Sequence, residues 1–296
     1  MITGQGLYPV YGGNGLRGFT ESYNHDGDYI LIGRQGALCG NIRKVTGKTY
    51  VTEHAIAVCA SKENETTFLQ YLFQKMKLGQ YSDQSAQPGL AVNKLLRLNI
   101  NVPSKIEQAK IAKILSLIDE RIITQNKIIE KYESLIQAIR KRVFTSLKNE
   151  HTENCEINQL LAYEQPSAYI VVNDEYSANT TLTPVLTANK GFVLGYTNED
   201  FGIYQKGECI IFDDFTMDTK YVSFPFKIKS SAIKILTAKP NVNLRFMFEY
   251  LLYLELKSEE HKRHYISEIA SLIIELPSKE KQSRIAYLMT SLDNKL

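Results

Sequence analysis

The stretch Pro103-Ser104-Lys105-Ile106-Glu107-Gln108 returns 174 residues later as Pro277-Ser278-Lys279-Glu280-Lys281-Gln282. Each copy continues without a gap into apolar residues spaced three and four apart, which is typical of a helix. This repeat is far longer than the ~20–50 residues of a solenoid unit. The sequence therefore predicts two modules, each a mixed α/β domain followed by a helix.

The residues before each helix repeat more loosely. Gly27–Leu31 matches Gly207–Ile211, and Ala55–Val58 is matched with Ala232–Ile235. The offset drifts between 174 and 180 residues, which places short insertions in loops, where binding residues tend to lie. The two copies are thus expected to share a scaffold and to differ in their loops.

Composition is ordinary for a globular protein. The 296 residues are 44% apolar and 23% charged, with a net charge of +3, and suit two domains. The four cysteines show no close pairing, which argues against a disulfide framework or a structural zinc site and suits a reducing cytoplasm. The amino terminus lacks a signal-peptide pattern, and no apolar run approaches the ~20 residues that span a bilayer. We expect a cytoplasmic protein without a membrane partner.

A long helix is predicted from residue 105 to 148. Ser104 suits the N-cap, and Glu107 completes a capping box. The segment carries ten Lys or Arg against five Asp or Glu, so its charge is positive. Apolar residues keep a heptad spacing, which predicts pairing with another helix. The positions of this seam are Ile111, Leu115, Ile118, Ile122, Gln125, Ile129, Tyr132, Ile136, Ile139 and Val143.

The second copy supplies the partner helix. Ile285, Met289, Leu292 and Leu296 continue the same register. If the helices are antiparallel, this short segment covers only Tyr132 to Val143 of the long helix. The seam from Ile111 to Ile129 is then exposed, and a monomer rarely tolerates such an apolar patch. Either another chain covers it, or the chain is an incomplete version of a longer protein.

The chain resembles the DNA-sequence specificity subunit of type I restriction-modification enzymes. The resemblance covers nearly the whole chain and lies in the order domain, helix, domain, helix. It is carried by the two proline-capped repeats, by Ile139-Arg140-Lys141-Arg142-Val143-Phe144, and by the domain stretches Tyr8–Gly15 and Pro184–Gly191. The resemblance implies two target-recognition domains, separated by long antiparallel coiled-coil helices, that each read half of a split DNA site.

On this resemblance the chain divides into four parts. They are a first recognition domain at 1–102, a spacer helix at 103–148, a second recognition domain at 149–276 and the start of a second spacer helix at 277–296. The first domain is expected to be incomplete, because it is shorter than the second. The second helix is expected to be truncated.

The resemblance also implies the partners. These are double-stranded DNA, modification (methyltransferase) subunits and restriction subunits. S-adenosylmethionine, ATP and Mg²⁺ are expected in those subunits and no cofactor in this chain. Self-association through the exposed spacer helix is a further expectation.

The catalytic and metal-binding motifs that the sequence suggests are incomplete. Gly13, Gly15 and Gly18 spell G-x-G-x-x-G, but no helix follows to complete a phosphate site. Gly47-Lys48-Thr49 ends like a P-loop, yet Ile42 stands where its first glycine belongs. We therefore predict a non-catalytic chain without a metal site.

DNA contacts are predicted from residue type and place. Arg and Lys read guanine, Asn and Gln read adenine, and basic or hydroxyl side chains hold phosphates. Two polar segments in each domain suit this role. One lies between the strand-like stretches Tyr29–Ile32 and Ala37–Cys39, another before a predicted strand Leu95–Val102, and their counterparts are Asp213–Lys220 and His261–His264. The candidates are Arg34, Gln35, Asn41, Gln84, Gln87, Asn189, Lys190, Thr216, Lys220, Lys262 and Arg263.

Two alternatives stay open. The exposed heptads are also what a dimeric coiled-coil interaction protein would show. An inactive or silent cassette fragment of a specificity subunit would have the same sequence features. The aromatic segments Phe68–Phe73 and Phe246–Tyr253 favour none of these, because their apolar density is typical of buried helices.

Overall fold

The computed structural model describes residue 2 and residues 4–83, 88–150, 152–189, 191–257 and 264–295. The chain divides into two compact units, Met1–Asn126 and Lys127–Leu296. We call them unit 1 and unit 2. The boundary falls inside the long helix, so each unit holds one part of it.

Unit 1 contains two small sheets and the helices that cover one of them. Its strands are β1 (Tyr8–Gly12), β2 (Gly15–Thr20), β3 (Tyr29–Gly33), β4 (Ile42–Val45), β5 (Tyr50–Val51) and β6 (Ala55–Val58). Its helices are α1 (Thr66–Met76), a 3₁₀ turn at Leu78–Tyr81, α2 (Val92–Leu95) and the first part of α3 (Lys105–Leu147).

The central sheet of unit 1 has the order β4-β3-β6, and a second sheet has the order β2-β1-β5. Side chains of β3 alternate between two cores, as a strand requires. Ile30 and Ile32 pack with Phe68 and Leu69 of α1. Leu31 packs on the other face, against the strands of the second sheet. The sheet is thus covered by helices on one face and by strands on the other.

Unit 2 repeats this arrangement with additional elements. Its strands are β7 (Glu153–Glu156), β8 (Leu161–Glu164), β9 (Thr183–Leu186), β10 (Val193–Thr197), β11 (Cys209–Asp213), β12 (Thr219–Val222), β13 (Lys227–Ile228), β14 (Ile233–Ala238) and β15 (Ile273–Leu276). Its helices are the rest of α3, α4 (Ile157–Leu160), a 3₁₀ turn at Pro166–Tyr169, α5 (Leu244–Tyr253), a π-helical turn at Tyr265–Ile269 and α6 (Lys279–Asp293).

The central sheet of unit 2 has the order β12-β11-β14-β8, the second sheet is β10-β9-β13, and β15 pairs with β7. Ile210 and Phe212 of β11 face the helices, and Ile211 faces the second sheet. The predicted mixed α/β fold is confirmed. The buried helices predicted at Phe68–Phe73 and Phe246–Tyr253 lie in α1 and α5.

The strand register corrects one match between the two copies. Ile30 pairs with Val58, and its counterpart Ile210 pairs with Leu236. Val58 therefore corresponds to Leu236, so the match of Ala55–Val58 with Ala232–Ile235 was wrong by one residue. A shift of one residue moves every side chain to the opposite face of a strand.

Two predicted strands are also wrong. Ala37–Cys39 is a turn, in which the Cys39 N–H donates to the Gly36 carbonyl at 2.9 Å. The segment Leu95–Val102 contains the end of α2 and then no strand. Its counterpart β15 is a strand because it pairs with β7. Among the described residues of unit 1, no strand lies opposite 98–102 to pair with it.

The repeated Pro-Ser motif ends in a glutamine that joins two helix starts. In unit 1 the buried Gln108 accepts from the Glu65 N–H at 2.9 Å and donates to the Pro103 carbonyl at 2.9 Å. In unit 2 Gln282 accepts from the Asn243 N–H and donates to the Pro277 carbonyl, both at 2.9 Å. Glu65 and Asn243 are the N-cap residues of α1 and α5. Each glutamine thus fixes the module's last helix to the helix that covers its sheet.

The start of α3 has the predicted capping box. The Glu107 carboxylate accepts from the Ser104 N–H at 3.1 Å, and the Glu107 N–H donates to the Ser104 hydroxyl at 3.4 Å. The hydroxyl of Ser104 also donates to this carboxylate, and these bonds lower the pKa of Glu107. The helix ends at Leu147, one residue before the predicted end.

The heptad seam of α3 differs between the two units. In unit 1 Ile118 and Ile122 are 49% and 53% exposed, Ile111 is also exposed, and Leu115 is half-buried. In unit 2 Ile129 is exposed, whereas the later seam positions share a core with α6. Its members from the two helices are Tyr132, Ile136, Ile139, Val143, Ile285, Met289 and Leu292.

A buried carboxylate links the helices of unit 2. The side chain of Glu249 on α5 is 0% exposed and pairs with Arg140 of α3 at 2.9 Å and with Arg245 at 2.7 Å. Arg245 also pairs with Asp293 of α6. Arg140 is therefore held inside the unit by Glu249.

We expect Gln282→Met to lower the free energy of unfolding of unit 2 by about 1–3 kcal/mol. The substitution keeps the side-chain size but removes the partner of the part-buried Asn243 N–H and that of the buried Pro277 carbonyl. Urea denaturation measures the change. The exposed neighbour variant Ser283→Ala is the control and should stay within about 0.5 kcal/mol of the parent protein. Equal stability of both variants would show that the glutamine bonds contribute nothing.

Candidate nucleic-acid interface

In unit 1, the turn that follows β3 is held by backbone bonds. The Arg34 N–H donates to the His54 carbonyl at 2.9 Å, and the Leu90 N–H donates to the Arg34 carbonyl at 2.8 Å. Gly36 takes a left-handed φ of +79°, which glycine adopts without strain. The side chains of Arg34, Gln35 and Asn41 are exposed on this turn.

Two further loops lie against the same turn. The Gln35 amide oxygen is 3.0 Å from Nδ1 of His54, which stands in the loop between β5 and β6. Gly13, in the hairpin between β1 and β2, approaches so closely that a Cβ there would lie 2.6 Å from the His54 carbonyl oxygen. The hairpin, the turn and the His54 loop therefore form one surface.

Strand arginines extend this surface. Arg43 on β4 places its guanidinium group beside Gly15, 3.1 Å from where a Cβ would stand, and Arg17 on β2 lies over Gly12. Both side chains belong to exposed residues. Within the described part of the chain, none of Arg17, Arg34 and Arg43 forms an ion pair. We call the set the arginine cluster: Arg17, Arg34, Gln35, Asn41, Arg43 and His54.

Arg17, Arg43 and His54 were missed by sequence reasoning. A signal was present for Arg43, because it follows the buried Ile42 in a short strand and so points away from the core. For Arg17 the signal is its place at the start of β2, two residues after the buried Gly15. His54 carried no such signal, because only the folded loop brings it to Gln35.

The corresponding turn of unit 2 is built differently. The Asp213 carboxylate accepts from the N–H groups of Phe215 and Thr216 at 2.9 and 3.0 Å, which is an Asx-type turn. The Thr216 hydroxyl donates to the Asn189 side-chain oxygen at 3.1 Å. Both residues are exposed. Asn189 and Thr216, which were predicted from distant parts of the sequence, thus lie together.

The second acid of this turn has a structural role. Asp214 is 1% exposed and accepts from the N–H groups of His264 and Tyr265 at 3.0 and 2.7 Å. Its other oxygen is 3.2 Å from Nζ of Lys234. The charge of Asp214 is thus compensated internally, so it presents no bare carboxylate to an anion.

Lys220 lies on β12 rather than in the loop that the sequence indicated. Phe212 pairs with Thr219, and its counterpart Ile32 pairs with Ile42. Lys220 therefore occupies the position of Arg43. It is half-buried and has no ion-pair partner in the described residues. The two units thus place a cation at equivalent strand positions.

Five predicted contact residues, Gln84, Gln87, Lys190, Lys262 and Arg263, lie outside the described residues. Among the residues that are described, no group of three or more His, Cys, Asp or Glu could hold a metal ion. None of the described helices is long and apolar enough to cross a membrane. Gly15 and Gly18 lie in the strand Gly15–Thr20, so these glycines do not begin a helix.

Chemically, the arginine cluster is suited to anions and to base edges. Each guanidinium group has five donors in a fixed fork, and no acid among the described residues pairs with it. The Gln35 and Asn41 amides can donate and accept together, which matches an adenine edge. Burial raises the pKa of the nearby Cys39 thiol, so this cysteine is not an activated nucleophile.

Comparison with known proteins identifies relatives of this chain. The chain is 47% identical over 113 residues to the type I restriction enzyme EcoprrI specificity subunit of Escherichia coli, covering 38% of this chain and 28% of that protein. It is 41% identical over 134 residues to the EcoR124I/EcoR124II specificity subunit of the same species, covering 43% of this chain and 33% of that protein. The matches span about a third or less of these relatives.

A solved structure resembles the whole chain. The S subunit of a type I restriction-modification system from M. genitalium superposes with a TM-score of 0.72 at 17% identity, covering 99% of this chain and 84% of that one. The family model described as the type I restriction modification DNA specificity domain matches residues 2–134 and again residues 148–296. The chain therefore belongs to the family of type I restriction modification DNA specificity domains.

Proposed function

We propose that this chain is a non-catalytic specificity subunit that recognises a split sequence in double-stranded DNA, each unit reading one half. The observation that carries the proposal is the arginine cluster, in which three exposed arginines, none in an ion pair within the described residues, lie on one surface with Gln35 and Asn41. Guanidinium groups hold phosphates or guanine, and amides read adenine in the major groove. In unit 2, Asn189, Thr216 and Lys220 occupy the corresponding end.

The recognised sequence halves are expected to differ between the units. Unit 1 presents arginines, whereas the corresponding end of unit 2 presents, among the described residues, Lys220 and Asp218 with hydroxyl and amide groups. Arginine favours bidentate contacts to guanine, and neutral amides favour adenine. The division into recognition domains at 1–102 and 149–276 with spacer helices at 103–148 and 277–296 is part of this proposal.

The chemistry would belong to partner subunits. We propose that modification subunits holding S-adenosylmethionine, and restriction subunits holding ATP and Mg²⁺, are directed by this chain in the cytoplasm. The exposed seam of α3 supports a docking role, because Ile118, Ile122 and Ile129 are each at least 40% exposed and lie on one helix. A partner helix with an apolar stripe would bury them.

The same exposed seam favours one alternative, a dimeric coiled-coil interaction protein. In that case two copies would pair through α3, and the arginine cluster would have no part in binding. A silent or inactive fragment would bind neither modification subunits nor DNA. The experiments below separate these functions.

The double variant Arg34→Ala/Arg43→Ala should bind duplex DNA at least about tenfold more weakly than the parent chain, since each side chain that touches DNA contributes about 1–3 kcal/mol. The slope of log affinity against log salt should fall by about 0.9 for each phosphate that the variant no longer neutralises. Fluorescence anisotropy with a random-sequence duplex at several salt concentrations measures both. Arg97→Ala, an exposed arginine outside the cluster, is the control; equally weakened binding in both variants would refute a specific role.

Co-expression with a type I modification subunit should yield methylated adenines in a split DNA sequence, mapped by single-molecule sequencing. Arg43→Ala should relax or change one half of that sequence, and Lys220→Ala the other, because the two residues lie in different units. A palindromic sequence would instead mean that one unit reads DNA within a dimer. Absent methylation, together with absent co-purification, would refute the specificity function.

Ile118→Asp should reduce co-purification with the modification subunit, or self-association if α3 pairs with itself, by at least about tenfold. A carboxylate in a helix seam cannot replace the apolar packing of isoleucine and is costly to bury. Asn126→Asp adds the same charge off the seam and is the control. Both residues are exposed, so circular dichroism should show unchanged folding. Unchanged association of Ile118→Asp would exclude this seam as a docking surface.

A further inference from the structure

The central sheets of the two units differ at one edge. In unit 2, β14 lies between β11 and β8, whereas its counterpart β6 in unit 1 is an edge strand among the described residues. Every residue of β6 is half-buried. In β14 the residues Ile233, Lys234, Ile235 and Leu236 are at most 1% exposed. The neighbour that protects β14 is thus missing from β6.

β6 and β14 also differ in length. β14 runs two residues further than β6, and those residues, Thr237 and Ala238, pair with Ala162 and Leu161 of β8. By register, their counterparts are Cys59 and Ala60, which are not part of a strand. An edge strand with free N–H and C=O groups is a template for pairing with another segment.

An apolar groove of about 180 Å³ lies beside this edge in unit 1. Among its lining residues are Ile32, Val58, Phe73, Leu96, Leu98 and Ile100. Leu96 is 80% exposed. Large apolar side chains that line an open groove are typical of a surface that binds a partner.

Unit 2 shows what fills the corresponding space. Phe212, Leu236 and Ile274, the counterparts of Ile32, Val58 and Ile100, are 0% exposed there. They share a core with Ile157, Leu160 and Leu161, which come from α4 and the start of β8.

Backbone hydrogen bonds in unit 2 involve the same segment. In unit 2 the N–H groups of Ile157 and Asn158 donate to the carbonyls of Leu272 and Ala270 at 3.0 and 2.8 Å. β7, immediately before α4, pairs with β15. One continuous segment, Glu153–Glu164, therefore covers the sheet edge, the apolar core and β15. The counterparts of β15 in unit 1 include Ile100 and Val102, which are 38% and 40% exposed.

We propose that the open edge and groove of unit 1 bind an extended segment of a separate polypeptide. The partner segment would have the chemistry of Glu153–Glu164: a short strand, one helical turn with apolar residues at its first and fourth positions, and a second strand that begins with leucine. The chain's own segment of this kind is already used in unit 2. Binding would follow β-augmentation, in which main-chain bonds give affinity and alternate side chains give specificity. This interaction surface is separate from the arginine cluster.

The test uses a fluorescent synthetic peptide of residues 152–165 with Cys155→Ser, added to the full chain. We expect saturable binding, at least about tenfold weaker for a peptide that also carries Leu160→Asp and Leu161→Asp, because two leucines are then no longer buried. Hydrogen exchange should slow at residues 55–60 and not at 233–238. Equal binding of both peptides, no binding, or protection confined to 233–238 would overturn the proposal.

A chemical test of register is available through Cys59, which is exposed. Ala162 lies opposite Thr237 in unit 2, so a bound peptide carrying Ala162→Cys would place its sulfur opposite Cys59. If the peptide thiol is activated with thionitrobenzoate, the Cys59 thiolate displaces that group and forms a disulfide with the peptide. The disulfide should form at least about tenfold faster than with a Tyr163→Cys peptide, whose side chain points to the other face.

The variant Cys59→Ser should abolish this cross-link. Equal rates for both peptides, or cross-linking that persists in Cys59→Ser, would overturn the proposed register and with it the site. If the chain without peptide is a dimer whose residues 55–60 already exchange slowly, a second copy occupies the edge, which would also overturn the proposal of a separate peptide.

Discussion

The fold of each unit depends on one glutamine that satisfies the backbone of two helix starts at once. Gln108 and Gln282 occupy the last position of the repeated motif, and each bonds a carbonyl at its own helix start and an N-cap N–H of another helix. Buried backbone groups without partners are costly, so this side chain cannot be exchanged for an apolar one without a decrease in stability. With α1 or α5 fixed in this way, the apolar face of the central sheet has a defined cover, and the loops at the sheet's end have a rigid base.

On that base the two units present different chemistry. In unit 1 the turn after β3 is held by backbone bonds and by the contact between the Gln35 and His54 side chains, and Arg34 and Gln35 remain exposed. In unit 2 the Asp213 carboxylate accepts from its own loop, and Asp214 is bound by Lys234 and the chain near Tyr265. The exposed Asp218 accepts from the Thr216 hydroxyl. The same sheet can therefore carry a cluster of arginines or, among the described residues of unit 2, one lysine with an acid and neutral polar side chains. Such variation in loops over a fixed scaffold is how binding sites commonly differ within one fold.

Sequence reasoning reached the features that depend on local chemistry. The capping box at Ser104, the long helix, the buried helices and the repeated order of elements all follow from spacing and residue type. Sequence reasoning failed where the formation of a strand depends on a partner strand. Leu95–Val102 has strand-like residues but no partner in the described part of unit 1, whereas Ile273–Leu276 has β7. The one-residue error at Ala55–Val58 has a similar origin, because register is set by pairing. His54, which carried no sequence signal, joined Arg17 and Arg43 only when three loops met.

The glutamine bonds also impose an order on biosynthesis. The Glu65 N–H is synthesised 43 residues before the Gln108 side chain to which it donates. At about 5–20 residues per second, that interval is roughly 2–9 s, whereas a helix forms in about a microsecond. The start of α1 therefore leaves the ribosome long before its cap is complete. Unit 1 can close only after the first turn of α3 has been made. In unit 2 Asn243 precedes Gln282 by 39 residues, which gives a slightly shorter delay. Unit 1 and unit 2 thus close one after the other during translation, and each is completed by the start of the helix that follows it.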